Sequence, residues 1–282
     1  MSVAGYLQRL GLDPAPEPTL ETLRRIHTAH LDRVPYENLA IMLGRPPSVA
    51  PADALDRVAS TGHGGYCFHQ NGAVESVLRE VGFTLERRHG HVWTDPPDRE
   101  GTSLNHLVLV VTGLPTESNP EGRWWPDLGL GDGFFELLPL VSGAHRDGPF
   151  TYHLDDVRHD GWSFRHDPTG SFAGVEVRTL PIGPDQLEAS HRELSTPPDG
   201  AFTRVLVVAR RHREGQDTLR CCVLTRIDGA GSSTTDLTSY DEWRSALELL
   251  RLPLDHVDEV ELRRLWERML VAHAAWDAAG RP

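Results

Sequence analysis

Hydrophobic positions in residues 1–82 recur at helical spacing. After Pro18, Thr19 is placed to cap a helix in which Leu20, Leu23, Ile26 or His27, Leu31 and Val34 fall near one face. A second short helix is expected over 52–59, opened by Pro51 at a first-turn position where its missing N–H is of no consequence. Gly62-His63-Gly64-Gly65 then breaks the chain, and a third helix is expected from about 67 to 81. Its apolar side is Phe68, Val74, Val77 or Leu78, and Val81. From Phe83 the pattern changes to short β-like runs at 84–93, 103–111, 124–130, 150–154, 162–166 and 175–180, separated by Gly, Pro, Asp and Asn. Strands at this spacing predict a barrel or a sandwich. Pro197-Pro198-Asp199-Gly200 opens a mixed section with β-rich runs at 203–210 and 218–227. Helices follow at 241–252 and about 257–278, the last carrying Leu262, Leu265, Trp266, Met269 and Leu270 as the stripe of a packed helix. The expected division is helical over 1–82, β over 83–196 and mixed over 197–282.

Composition narrows the class. The chain has 282 residues, 39% hydrophobic and 24% charged, a globular balance with enough length to bury a core. No apolar run approaches the roughly 20 residues that span a bilayer. The start, Met1 to Tyr6, lacks the basic and apolar regions of a signal peptide, so a soluble cytoplasmic protein is expected. A net charge of −13 argues against general nucleic-acid binding. The basic side chains are all arginine, which excludes a lysine Schiff base. Of three cysteines, Cys221 and Cys222 are adjacent and read as strand packing, leaving Cys67 as a free thiol.

Cys67 follows Gly64-Gly65 at the expected N-terminus of a helix, where unpaired N–H groups favour a thiolate and can hold a developing oxyanion. The two glycines are expected to let a substrate approach the backbone. A thiolate needs a base within reach, and the base needs an orienting carboxylate. His106, at the start of the apolar run 107–111, and Asp127, between Trp124-Trp125-Pro126 and two spaced glycines, supply that set. Spacing alone leaves open whether the three meet; each also reads as a packing or turn residue.

In order along the chain, several segments resemble the arylamine N-acetyltransferase family. They are 18–23 through Ala29-His30-Leu31, Val34-Pro35-Tyr36-Glu37-Asn38-Leu39, Gly64-Gly65-Tyr66-Cys67-Phe68 with Asn71, Asn105-His106, Asp127-Leu128-Gly129-Leu130-Gly131, and 194–199 with Phe202-Thr203. The resemblance implies an α+β fold of three parts: an N-terminal helical bundle, a central β-barrel and a C-terminal α/β lid. It implies a ping-pong acyltransferase in which Cys67 takes an acyl group from a thioester such as acetyl-CoA and passes it to an amine. His106 would handle protons and Asp127 would hold its tautomer. Tyr66, Phe68, Gly129, Leu130 and Gly131 would lie at the substrate pocket. No bound cofactor or metal is implied; acetyl-CoA or another acyl thioester is a co-substrate, and no membrane or nucleic-acid partner is expected.

Two departures from the family stand out. His63 replaces its usual arginine, and His69 replaces the usual Glu or Gln. Glu37 and His63 are therefore expected to substitute for an ion pair and make local order pH-sensitive. Thermal stability of wild type and His63→Ala from pH 5 to 8 tests this, and parallel curves contradict it. The changed pocket also leaves open an amide synthase that releases a carrier-bound acyl chain as an amide or lactam, with an acyl carrier protein as partner. The pair Phe134-Phe135 and the stretch 167–177 are candidate parts of such a pocket, or else barrel packing and a surface turn. Three further readings are a thiol hydrolase, metal binding through His63, Cys67 and His69, and a binding protein without catalysis. Arg204, Arg210, Arg211, Arg213, Arg220 and Arg226 are candidates for a cationic patch toward CoA, or else solvated strand faces.

Overall fold

Helix α5 (Cys67–Val81) is framed by glycines that stop its neighbours. Gly62, at φ 81°, ends α4 (Pro51–Thr61), and Gly82, at φ 104°, ends α5 itself. Both adopt the left-handed cap that side chains with a Cβ resist. The computed structural model describes residues 3–281 except Pro14, Pro181 and Ala201. Its first part also contains α1 (Val3–Arg9), α2 (Leu20–Arg33), the two-residue strand β1 (Tyr36–Glu37) and α3 (Leu39–Met42). Thr19 caps α2 as expected, its hydroxyl accepting from Thr22 N–H. Helix α1 was not expected; Val3, Tyr6 and Leu7 bury one side of it, too short a pattern to stand out.

Next come β2 (Thr84–Trp93), a 3-10 turn (Pro96–Glu100), β3 (His106–Thr112), β4 (Trp124–Trp125), β5 (Leu138–Pro139), β6 (Gly143–Asp147), β7 (Phe150–Arg158), β8 (Gly161–Arg165) and β9 (Gly174–Arg178). They form one nearly closed eight-stranded antiparallel sheet in the order β5-β4-β3-β2-β9-β8-β7-β6. Its interior holds Val108, Val110, Trp125, Phe134, Tyr152, Phe164 and Val177. Its outer side packs Leu85, Leu109 and Val111 against α5 and the other helices. The barrel alternative is therefore the one adopted. The run expected at 124–130 is a strand only at its first two residues, because the chain then turns across the end of α5.

Beyond α6 (Pro184–Ser195), the last part comprises β10 (Val207–His212), β11 (Gly215–Arg220), β12 (Val223–Asp228), β13 (Gly231–Asp236), α7 (Tyr240–Leu249) and α8 (Glu259–Ala278). The sheet order is β1-β10-β11-β12-β13, so its first strand is lent by residues 36–37 of the helical part. The single run expected over 218–227 is two strands, folded back at Cys221-Cys222, where Cys221 takes φ 58°. On α8, Leu262, Leu265, Trp266 and Met269 are buried as expected, but Leu270 is 38% exposed. A helix turning 100° per residue carries that position past the edge of the stripe.

Candidate active site

Cys67 is the first residue of α5, and Tyr66 ahead of it makes no side-chain cap. The Tyr66 carbonyl accepts from His69 and Gln70 N–H, whereas among the described residues the N–H groups of Cys67 and Phe68 have no acceptor. The positive end of the helix is thus open beside the sulfur. The thiol lies 3.5 Å from the carbonyl of Asn105, whose side chain is clamped in turn between the N–H and C=O of Val92 on β2.

His106 opens β3 and is buried. Its Nε2 lies 2.7 Å from Asp127 Oδ2, and Cys67 is near enough to influence the ring. Burial alone would lower the imidazole pKa. The charge and hydrogen bond of Asp127, reinforced by Cys67, outweigh it and push the value up to about 10. His106 therefore holds its proton at neutral pH, and the structure brings the expected nucleophile, base and carboxylate together in one row.

Asp127 is buried but fully engaged. Besides His106, it accepts from Trp125 Nε1 at 3.0 Å, Asn71 Nδ2 at 3.0 Å and Gly129 N–H at 3.0 Å. These donors stabilise a buried carboxylate and fix its direction. Asn71 also takes the Leu128 N–H on its Oδ1 and donates to the Leu107 carbonyl, tying α5, β3 and the aspartate loop together. Asn71, Trp125 and Asn105 were given no role in the sequence reading. Only Asn71 carried a signal, since it stands one helical turn after Cys67 on the same face.

The two glycines after Asp127 have separate tasks. A Cβ on Gly129 would come 2.5 Å from Cys67 Cα, and one on Gly131 would meet the Tyr36 ring at 3.3 Å. Gly131 also takes φ 76°, where any other residue is strained. Gly64 and Gly65 do not serve substrate approach as expected. A Cβ on Gly65 would strike Arg57 and His69 at 2.6 Å, and one on Gly64 would strike the Pro35 carbonyl, so both glycines face protein.

A cavity of about 330 Å³ opens at the sulfur. Cys67, His106, Gly129, Leu130 and Gly131 line it with Tyr36, Asp132, Ser171, Phe172, Phe202, Thr218 and Arg220. Tyr66 and Phe68, expected at the pocket, lie outside its walls in the apolar cluster around Cys67. The Tyr66 hydroxyl is buried 2.6 Å from His191 Nδ1 on α6. Phe134 packs inside the barrel and Phe135 against the helices, but Ser171 and Phe172 bring part of the stretch 167–177 to the cavity.

The Glu37 carboxylate accepts from Gly65 and Leu39 N–H and lies 3.6 Å from His63 Nδ1. Burial would raise its pKa, but His63, Arg57 and the Leu39 N–H outweigh it and hold the carboxyl below its usual value. Arg57 donates to the carbonyls of His63 and Gly64, a partner absent from the sequence reading. His69 turns away from the sulfur to the Pro47 carbonyl, and burial holds its pKa well below the usual imidazole value. Among the described residues no three His, Cys, Asp or Glu side chains are grouped as metal ligands, so His63, Cys67 and His69 do not converge.

Of the six arginines considered for a cationic patch, Arg210 pairs with Asp32, Arg211 with Asp147, Arg213 with Glu136 and Arg226 with Asp217. Arg220 has no carboxylate partner among the described residues and borders the cavity.

The family pattern of N-acetyltransferases matches residues 19–256. The chain belongs to the arylamine N-acetyltransferase family. Arylamine N-acetyltransferase of Mycolicibacterium smegmatis is 37% identical over 164 residues, covering 55% of this chain and 58% of that protein. The enzyme of Escherichia coli is 32% identical over 126 residues, covering 45% and 42%. The chain thus spans about half the length of these curated relatives in alignment. Human arylamine N-acetyltransferase 1 aligns over 264 residues at 25% identity, covering 85% and 88%. Structural likeness extends further. The Mycobacterium marinum enzyme in complex with CoA superposes with a TM-score of 0.83 at 28% identity, covering 95% of this chain and 98% of that one. Membership therefore rests on the fold as well as on the motifs. Among the described residues no helix is long and apolar enough to cross a membrane.

Proposed function

We propose that the chain moves an acyl group from a thioester donor, acetyl-CoA by family precedent, to an arylamine or related amine through a thioester on Cys67. The observation that carries this reading is the row Cys67, His106, Asp127, with His106 Nε2 held 2.7 Å from Asp127 and the sulfur open to the cavity. Sulfur attacks the donor carbonyl as a thiolate, and the carbonyl electron pair moves onto oxygen. On collapse the C–S bond of the donor breaks, and the leaving thiolate takes a proton from His106. An amine then attacks the Cys67 thioester, gives its proton to His106 and releases the sulfur. Asp127 stabilises the imidazolium throughout.

The N–H groups of Cys67 and Phe68, without an acceptor among the described residues, would receive the oxyanion. Gly129 allows Asp127's loop to lie against the nucleophile, while Leu130 and Gly131 shape the cavity wall for the acceptor. Glu37, His63 and Arg57 support the turn that delivers Cys67. Arg220, at the cavity without a carboxylate partner among the described residues, supports a role in holding an anionic part of the donor. The carrier-bound amide synthase and hydrolase readings share this triad, and product analysis with and without amine separates them. Initial rates with donor and arylamine both varied should give parallel double-reciprocal lines. Intersecting lines would contradict a ping-pong route.

A further inference from the structure

Tyr36 stands at the cavity with a hydroxyl that has no hydrogen-bond partner among the described residues. Tyr36 is only partly buried, so its hydroxyl is free to bond water or a substrate in the cavity. Its placement is tightly set. The ring rests on Gly131, where a Cβ would come within 3.3 Å. The backbone pairs with Ala209 of β10, another residue of the cavity wall. The next residue, Glu37, bonds the nucleophile's own turn twice, through Glu37 N–H to the Gly65 carbonyl at 3.0 Å and through Gly65 N–H to Oε1 at 2.9 Å. Barrel, lid sheet and nucleophile turn therefore all fix this one side chain relative to Cys67.

We infer that the Tyr36 hydroxyl donates a hydrogen bond to the reacting acyl carbonyl oxygen, completing the oxyanion site begun by the Cys67 and Phe68 N–H groups. The inference rests on the acyl-transfer reading above. When sulfur bonds to the acyl carbon, negative charge moves to that oxygen and returns when the old C–S bond breaks. The phenol keeps its proton in both steps and only shares it. Burial, together with the nearby charges of Cys67 and Asp132, pushes its pKa well above the usual phenol range, so it remains a donor wherever the enzyme works. A preorganised donor of this kind lowers the barrier because charge develops against it only in the transition state.

Tyr36→Phe keeps the ring on Gly131 and removes only the hydroxyl, so the fold is retained. The test compares two reactions of Cys67 in wild type and Y36F: acylation by acetyl-CoA, followed as the single-turnover release of CoA, and alkylation by iodoacetamide, which develops no oxyanion. The expected result is acylation slowed on the order of 100-fold, as for loss of one oxyanion donor, with alkylation unchanged. Equal acylation rates overturn the inference. A parallel loss in alkylation also overturns it, because the effect would then lie on the sulfur. A wild-type protein that takes up no acyl group from acetyl-CoA or another acyl thioester removes the acyl-transfer reading itself, and this inference with it.

Discussion

Asn71 donates from Nδ2 to Asp127 Oδ1 at 3.0 Å, so the helix that carries Cys67 also orients the carboxylate 56 residues further on. The same amide donates to the Leu107 carbonyl, and its oxygen takes the Leu128 N–H. Helix, base strand and aspartate loop are thereby fixed as one unit.

Asn71→Ala leaves buried donors and acceptors unsatisfied at both ends of that unit. Stability should fall by about 1–3 kcal/mol, read from denaturant midpoints at constant slope. The acylation rate should also fall in folded protein, with the pH profile altered because Asp127 loses a donor. An unchanged profile and rate would confine Asn71 to packing.

Gly129→Ala tests the contact behind Cys67. The new methyl would meet Cys67 Cα at 2.5 Å, and backbone on both sides leaves little room to yield. Overpacking of this kind costs about 1–3 kcal/mol. Both acylation and alkylation of Cys67 should drop; retention of both rates would show that the loop can move aside.

If Arg220 binds an anionic part of the donor as proposed, Arg220→Ala should raise KM for acetyl-CoA several-fold with little change in kcat. The wild-type KM should rise with ionic strength, and the variant's should respond less. A fall in kcat at constant KM would contradict this placement.

The raised pKa of His106 makes a stability prediction with a definite sign. Its folded value of about 10 lies above the ordinary 6.5, so its contribution is complete below pH 6.5 and is lost as pH rises through about 10. Melting temperature of the wild type should therefore fall across that window. His106→Gln should show a flatter profile there; an equally steep one would remove the assignment.

Much of this arrangement was legible in the chain. Helix α5 was readable end to end because glycines stop the chain on both sides and Phe68, Val74 and Leu78 mark its inner face. Strand β2 was readable over its whole length for the same reason of clear borders. Helix α6 was not, since only Leu187, His191 and Ser195 turn inward and two of those are polar. Strand β13 was missed because all six of its residues are exposed, leaving no alternation to see. At the site, Cys67, His106 and Asp127 carried local signals, but of their supports only Asn71 did. Trp125 and Asn71 act through contacts that only the fold creates, and Tyr66 and Phe68 flank the nucleophile in sequence while facing the core. Adjacency to a nucleophile on a helix does not set direction; each step rotates a side chain by about 100°.

The most direct test of the central claim is intact-protein mass spectrometry after incubation with acetyl-CoA, then with an added arylamine, alongside Cys67→Ala. A gain of one acetyl group that requires Cys67 and disappears when the amine is added is the predicted result. No gain from acetyl-CoA in protein whose Cys67 is still labelled by an alkylating reagent would contradict CoA as donor. A gain that persists in Cys67→Ala would contradict the thioester itself.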